Sequence, residues 1–354
     1  MIYCTKEGDA IQRDKNILQL LIFFCLGCLL VMVAGGRPPG LDPDYWSYFF
    51  TLKMHPAEYN YFEFEPFYYL AVYFSSYVFD IGAQGLFYVI AIVFVVFSLM
   101  AIWKYSERPF FSVLIFILLF YPNFALIQIR NGVALSILIF AFYDFSADRK
   151  KDAFIKMILA TLWHYSSVVF LLVYLLDLKN IKIFFYAFLP VIGYFVGQYF
   201  FSVSLLEKIL SVLNSEYFYK LIKYVDIARN ESMSSLMEIN LINFYTLFIL
   251  CLYYLGLYIY SFYRTSPSYT LFLKVLGWGI FSWFALSALP VLSFRFSNSA
   301  YFFLIFLLPL YIKYFPVFYR LVIVFCFVCL TFLNAYNIYA RHKLFDFSVL
   351  GGYF

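Results

Sequence analysis

Two ionisable residues interrupt long apolar stretches of this sequence. Arg130 follows Leu-Ile-Gln-Ile and precedes Asn-Gly-Val-Ala, and His164 breaks the apolar stretch 153–177 near its middle. A charge among apolar residues is costly unless it meets a partner or a ligand. A guanidinium recognises phosphate or carboxylate, and an imidazole can exchange a proton near neutral pH. The alternatives are a structural hydrogen-bond anchor for Arg130 and an ordinary buried histidine for His164.

A second group of candidates follows the first apolar run. It combines acids, an arginine and aromatic residues: Arg37, Asp44, Tyr45, Tyr48 and Glu65. This combination suits a sugar, because carboxylates accept hydrogen bonds from hydroxyls and aromatic rings cover the apolar faces of pyranoses. Asp44 or Glu65 could also act as a base. Arg295 begins a later apolar run, where phosphate binding and snorkelling to the membrane surface both explain an arginine.

The composition determines which elements position these residues. The chain has 354 residues, of which 65% are hydrophobic, 25% aromatic and only 13% charged. A soluble protein is roughly half apolar and a quarter charged, so a water-soluble fold is excluded. Uncharged runs of about 20 residues predict an all-α polytopic membrane protein with about 9–11 transmembrane helices. The runs are apolar on every face, which excludes the alternating strands of a barrel.

The apolar runs predict a single integral membrane domain covering residues 1–354. Two stretches, 66–79 and 153–177, are short or broken and are interpreted as re-entrant or interfacial half-helices. Irregular backbone at membrane depth survives only where it lines a cavity or is buried in protein, so both breaks indicate a site. We also expect an outer loop at 37–85 and an outer amphipathic loop at 201–237. The predicted spans cover residues 17–35, 86–103, 109–121, 124–144, 183–200, 238–263, 269–289, 297–312 and 317–337.

The distribution of basic residues predicts the orientation. We assume that 66–79 does not cross the membrane and that 153–177 forms a re-entrant hairpin. The segments on one face of the membrane then hold 13 Lys or Arg in 47 residues, and those on the other face hold nine in 110. The first face should be cytoplasmic and should include the N-terminus. If 153–177 were instead one tilted span, every later segment would be inverted.

Other functional classes find little support in the sequence. The net charge of +5 reflects orientation in a membrane protein, so we expect no nucleic-acid partner. The three histidines, His55, His164 and His342, are scattered, and no carboxylates are paired at ligand spacing. We therefore expect no metal and no cofactor.

The order of five short motifs resembles the EpsG family of Wzy-type polysaccharide polymerases over about residues 16–312. The family pattern contains an Asp-Tyr-x-x-Tyr loop, Glu-Pro, Arg-x-Gly-x-Ala, His-x-Ser and a late arginine. This sequence departs from it by carrying Asn131 where glutamine is common and by a proline-rich entry at 36–43. The matching residues are Asp44-Tyr45 with Tyr48, Glu65-Pro66, Arg130 to Ala134, His164-Tyr165-Ser166, and Arg295.

The resemblance implies a membrane glycosyltransferase of O-antigen, capsule or exopolysaccharide biosynthesis. Its donor and acceptor would be oligosaccharides linked to undecaprenyl diphosphate, joined at the outer, periplasmic face of the bacterial inner membrane. Membrane lipid and a chain-length regulator would be its other partners. In this interpretation His164, Asp44 and Glu65 compete for the role of base. The expected substrate-binding residues are Arg130, Arg295, Arg37, Asn131, Tyr45, Tyr48 and Ser166.

Two other functional classes remain open from sequence. A flippase or transporter of lipid-linked oligosaccharide would also need intramembrane cations and broken helices, although no pseudo-symmetric halves are detectable. A glycan ligase would differ only in its acceptor. An acyltransferase would need a nucleophile or base beside an acyl donor, and none is identifiable.

Overall fold

The structure is a computed structural model that describes residues 17–41, 44–53, 65–200, 208, 240–263, 265–316, 320, 324–325, 328–329 and 331–332. Regular structure in these residues is helical. The predicted loop 201–237, apart from residue 208, and most of the predicted span 317–337 lie outside the described residues. The helices are α1 (Ile17–Gly35), α2 (Tyr45–Lys53), α3 (Pro66–Tyr73), α4 (Gly82–Tyr105), α5 (Pro109–Ile115), α6 (Ile129–Ser146), α7 (Lys150–Trp163), α8 (Ile183–Tyr199), α9 (Phe244–Phe262), α10 (Pro267–Ala285), α11 (Pro290–Tyr301) and α12 (Leu304–Ile312).

The prediction of an all-α polytopic membrane protein is confirmed. Within the described residues, α1, α4, α6 and α9 are long and apolar enough to cross a membrane, and α11 with α12 forms a fifth candidate, bent by 44°. The other runs predicted as spans form helices that do not meet this test, or lie mostly outside the described part. The count of about nine to eleven spans therefore stays a prediction.

One break between helices lies at a different residue from the one that the sequence predicts. The sequence predicted an interruption between 121 and 124, at Pro122-Asn123. Instead, helical backbone continues from α5 through π-helical turns at Phe116–Phe120 and Pro122–Ile127. The break comes at Gln128, whose backbone has φ −93° and ψ 54°. Proline lacks an N–H and is accommodated at the start of the second π-helical turn, so the chain does not have to break there.

The connections between helices gather at two opposite ends of the bundle. We call one the basic end, comprising connections 104–108, 145–152, 178–182 and 313–316. Contacts that join these connections are Lys313 with Glu107 at 3.1 Å, the stacked rings of Tyr105 and Tyr143 at 4.0 Å, the rings of Tyr263 and Tyr314 at 4.7 Å, and the Ile181 N–H with the Tyr260 hydroxyl at 2.9 Å.

Helix α1 runs antiparallel to α4. Its first turns meet the last turns of α4 at Phe23 and Trp103, whose ring centroids are 4.8 Å apart. Its last residue, Gly35, packs so tightly on Tyr88 that no side chain would fit between them. Residue 17 therefore lies toward the basic end and Gly35 toward the opposite end, which we call the site end.

Residues 150–175 fold back on themselves as a hairpin. His164 interrupts the helix with an extended backbone, φ −155° and ψ 114°, and a 3-10 segment follows at Tyr165–Leu175. The Tyr174 hydroxyl donates to the carbonyl of Lys150 over 2.6 Å, so the two arms end side by side. Fourteen α-helical and eleven 3-10 residues both span roughly 21–22 Å. His164 therefore lies at the tip, roughly 20 Å from the basic end.

Ion pairs hold the base of this hairpin. Asp144, near the end of α6, pairs with both Arg149 and Lys156. The carboxylate is buried, with 5% of its side chain exposed, and it joins the end of α6 to Arg149 in the turn and to Lys156 on α7.

The helix at 66–78 does not run between the two ends. It begins beside the hairpin tip at Glu65 and ends shortly before Gly82, where α4 starts. Near its end, the Ser76 hydroxyl donates to the carbonyl of Leu52 at the end of α2 over 3.3 Å. Both ends of this helix thus belong to the site end, as expected for a half-helix.

Candidate functional site

Glu65, Arg130 and His164 meet at the site end. Arg130 Nη1 donates to Glu65 Oε2 over 2.6 Å, and His164 Nδ1 lies 2.9 Å from Glu65 Oε1. The Glu65 side chain is fully buried, whereas 21% of the Arg130 side chain and 11% of the His164 side chain are exposed. The arginine and the histidine thus keep part of their surface exposed, while both oxygens of Glu65 are engaged.

Local geometry explains why these residues converge. Helices α6 and α7 are antiparallel neighbours joined by a short turn, which brings Arg130, in the first turn of α6, level with His164 after the last turn of α7. Glu65 directly precedes Pro66, the first residue of α3. Three helical segments thus begin at the trio, at Pro66, Ile129 and Tyr165. Helix N-termini favour negative charge.

Two tyrosines surround the Arg130 guanidinium. Its Cζ atom lies 4.9 Å from the centre of the Tyr68 ring and 5.8 Å from that of Tyr48. The Tyr48 hydroxyl donates to the carbonyl of Ile127 over 3.0 Å, immediately before the helix break. The sequence reading did not single out Tyr68 as an arginine support. The pattern that could have indicated Tyr68 is the spacing Glu65-Pro-x-Tyr68, because it places Tyr68 and Glu65 in one helical turn.

Gly132 permits the close packing that positions Arg130. A Cβ atom there would collide with the carbonyl oxygen of Phe124 in the π-helical segment before the break. Only glycine allows the first turn of α6 to lie directly against this backbone. The glycine of the Arg-x-Gly-x-Ala motif therefore has a steric function.

Arg37 supports the backbone beside the trio. It is only 2% exposed, and its Nη1 atom donates to the carbonyls of Ala125 and Leu126 at 3.1 and 2.6 Å. Its Cζ atom lies 3.8 Å from the centre of the Phe87 ring. The sequence predicts that Arg37 binds substrate, and this role stays a prediction. The contacts observed for Arg37 hold the backbone of the segment that leads to Arg130.

The other residues of the outer loop lie at different depths. Tyr45 is 4% exposed and packs on the rings of Trp46 and Phe87, with centroids 5.4 and 5.2 Å away. Asp44 is half-buried in the turn that begins α2, close enough for its charge to act on Tyr48. On the hairpin, Ser166 is half-buried in the first turn after His164.

Asn131 joins the trio to the helix of Arg295. Its Nδ2 atom donates to Gln128 Oε1 over 3.0 Å and to Ser299 Oγ over 2.9 Å. Ser299 Oγ in turn donates to the carbonyl of Arg295 over 2.7 Å. Arg295 is half-buried, and its charge acts on His164, as that of Arg130 does. The sequence did not indicate Gln128 or Ser299 as partners of Asn131. A single serine or glutamine in an apolar stretch is commonplace.

Among the described residues, no group of three or more His, Cys, Asp or Glu side chains could hold a metal ion. His55 and His342 lie outside the described part of the chain. The candidate site thus consists of one buried carboxylate, two arginines, one histidine and their aromatic supports.

The fold and this site define a polytopic α-helical membrane protein with a buried Glu-Arg-His cluster at one end. The EpsG family model matches residues 20–349, nearly the whole chain, and the protein belongs to this family. The EpsG family is a Wzy-like polymerase family, so the chain is a polysaccharide polymerase-like membrane protein. No curated protein and no solved structure matches the chain.

Proposed function

We propose that this protein is a membrane glycosyltransferase that joins oligosaccharide repeat units linked to a polyprenyl diphosphate. The observation that supports this most directly is the contact of His164 Nδ1 with the fully buried Glu65 carboxylate. An ionised carboxylate only accepts hydrogen bonds, so Nδ1 must donate and Nε2 keeps its lone pair. His164 is therefore the proposed general base, and Glu65 fixes its tautomer and orientation.

Arg130 and Arg295 are proposed to hold the diphosphate of the donor. Arg130 keeps part of its guanidinium accessible while Glu65 and the Tyr68 ring fix its position. A planar guanidinium can donate two parallel hydrogen bonds to phosphate oxygens. Three convergent helix starts add partial positive charge around the same point. Such preorganised positive groups stabilise a leaving group that gains charge as its bond breaks.

The proposed step is a single displacement at the anomeric carbon of the donor. The acceptor hydroxyl gives its proton to His164 Nε2, and its oxygen forms the new bond to the anomeric carbon. The bond from this carbon to the diphosphate oxygen breaks, and the electron pair leaves with the polyprenyl diphosphate. The protonated His164 is stabilised by Glu65 and later releases its proton to water.

The site is proposed to face the outside of a bacterial inner membrane. The basic end gathers the lysine-rich and arginine-rich connections, and such connections face the cytoplasm. The trio lies at the opposite end, because the hairpin brings residues 150 and 174 together at the basic end and leaves His164 at its tip. Asp44, Tyr45, Tyr48 and Ser166 lie at the same end, where sugars of the substrate would enter. Membrane lipid and a chain-length regulator are the other proposed partners.

The test is polymerisation by purified protein in detergent, with a polyprenyl-diphosphate-linked repeat unit as both donor and acceptor. We expect longer lipid-linked glycans to form without an ion gradient and in the presence of EDTA. Movement of the repeat unit across liposomes without any lengthening would instead indicate a flippase. Transfer only to a different acceptor would indicate a ligase, and transfer of an acyl group would indicate an acyltransferase.

A further inference from the structure

Ser299 and Asn131 form a hydrogen bond between α6 and α11, the two helices that bear Arg130 and Arg295. Arg130 directly precedes Asn131 on α6, and Arg295 precedes Ser299 by four residues on α11. Residues four apart lie on one face of a helix, about one turn from each other. The bond from Asn131 Nδ2 to Ser299 Oγ, 2.9 Å long, therefore fixes α11 against α6 within one turn of both arginines.

The Asn131–Ser299 contact is buried, and each of the two residues makes a further hydrogen bond. Asn131 is 2% exposed and Ser299 is 3% exposed. The Asn131 amide also donates to Gln128, the residue at the break before α6, and Ser299 donates to the Arg295 carbonyl over 2.7 Å. Hydrogen bonds away from water are strong, and leaving one partner unsatisfied is costly. The chain of contacts thus links the start of α6 to the backbone of Arg295 itself.

The Asn131–Ser299 hydrogen bond lies close to a bend in the helix that bears Arg295. Its neighbour α12 begins after a break of two residues and is bent by 44° relative to α11. The break follows Tyr301, two residues after Ser299. Packing on α10 holds one side of α11, where the Ser293 hydroxyl donates to the Trp283 carbonyl over 2.7 Å, and the Asn131–Ser299 hydrogen bond holds α11 to α6 beside the bend.

We propose that Ser299, through Asn131, sets the separation between Arg130 and Arg295 so that their guanidinium groups hold the two phosphates of one diphosphate. Ser299 is thus a positioning residue, which acts through the arginines and does not touch the substrate. This inference rests on the proposed function of the site. It adds a residue that the motif order does not contain, and it assigns Asn131 to this link.

The chain offers a matched control for Ser299. Ser297 lies on the same helix and is 1% exposed, and its hydroxyl donates to the carbonyl of Phe294, within α11, over 3.2 Å. Ser299→Ala and Ser297→Ala remove the same atom from equally buried positions. Only the first removes the bond to Asn131.

The experiment measures binding of polyprenyl diphosphate without a glycan to the purified variants, together with kcat, KM and thermal unfolding. We expect Ser299→Ala to weaken diphosphate binding and raise KM about tenfold, as loss of roughly one buried hydrogen bond implies. Ser297→Ala should bind as the wild type does. Ser299→Thr keeps the hydroxyl and should recover most of the affinity.

Two outcomes separate this inference from the proposed function. If wild-type protein binds the diphosphate and Arg130→Lys loses it, but Ser299→Ala binds normally and only unfolds at a lower temperature, Ser299 is structural and this inference is wrong. If wild-type protein does not bind the diphosphate at all, the proposed function is wrong.

If the Ser299→Ala protein fails to fold, Asn131→Ser is the second variant. It removes the hydrogen bond between the Asn131 amide and Ser299 from the other side and should weaken diphosphate binding equally. Normal diphosphate binding by folded Asn131→Ser would also overturn the inference.

Discussion

His164 Nδ1 lies 2.9 Å from Glu65 Oε1, although 99 positions separate the two residues in the chain. Glu65 Oε2 accepts a hydrogen bond from Arg130, so one buried carboxylate orients both an imidazole and a guanidinium. The same carboxylate was a candidate base from sequence. Its burial and its two partners favour a positioning role, and they leave His164 as the residue best placed to take a proton.

Replacing His164 with Gln should sharply lower turnover but leave substrate binding intact. The amide keeps a hydrogen bond to Glu65 but cannot accept a proton from the acceptor. We expect kcat to fall by about 10²- to 10⁴-fold, the range for loss of a general base. Single-turnover rates and binding of the lipid-linked substrate measure the two effects separately. Full turnover in His164→Gln would reduce His164 to a structural hydrogen bonder.

Glu65→Gln should also lose turnover, and the part of its effect that acts through His164 should not add to that of His164→Gln. The double variant should therefore be slower than His164→Gln alone only by what Glu65 contributes through Arg130, because residues that act as a unit are not additive. The comparison is made by kcat of the two single variants and the double variant. Asp44→Asn is the competing test, since a large loss of kcat there with unchanged binding would move the base to the outer loop.

Arg130→Lys should retain the fold and lose most activity. An ammonium preserves the charge toward Glu65 but not the planar pair of donors or the stacking on Tyr68. The diphosphate affinity and kcat should both fall by at least about tenfold, which corresponds to roughly 1.4 kcal/mol. Arg149→Lys is the control, because Arg149 pairs with Asp144 at the basic end. Normal polymerisation by Arg130→Lys would make Arg130 a helix anchor only.

Gly132→Ala should lower activity by displacing the first turn of α6. The added methyl group meets the backbone carbonyl of Phe124, which cannot rotate away as a side chain can. We expect a loss of about 1–3 kcal/mol in unfolding free energy and a clear loss of kcat. Gly27→Ala is the matched control, since its new methyl group meets only the flexible end of Leu99 at 3.2 Å. Equal activity of the two variants would show that the close packing at Gly132 is unimportant for the site.

The sequence by itself determined the helical class of the fold and the break that defines the hairpin. Apolar runs without charge predicted the helices, because a membrane leaves the backbone no other way to satisfy its hydrogen bonds. The polar interruption at His164 predicted a divided helix, and the backbone there is extended. The order of short motifs predicted the family, which the match over residues 20–349 shows.

Only the tertiary structure decided which charged residues meet and what each one contacts. Glu65 and Arg37 both looked like groups that face a ligand, but one is fully enclosed between Arg130 and His164, and the other is bound to backbone carbonyls. Ser299 gave no signal, yet it bonds to Asn131, which lies 168 positions earlier in the chain. Helical periodicity reports only which residues share a face with their neighbours three and four positions away. Contacts across such separations depend on how the helices pack, and local pattern cannot specify that.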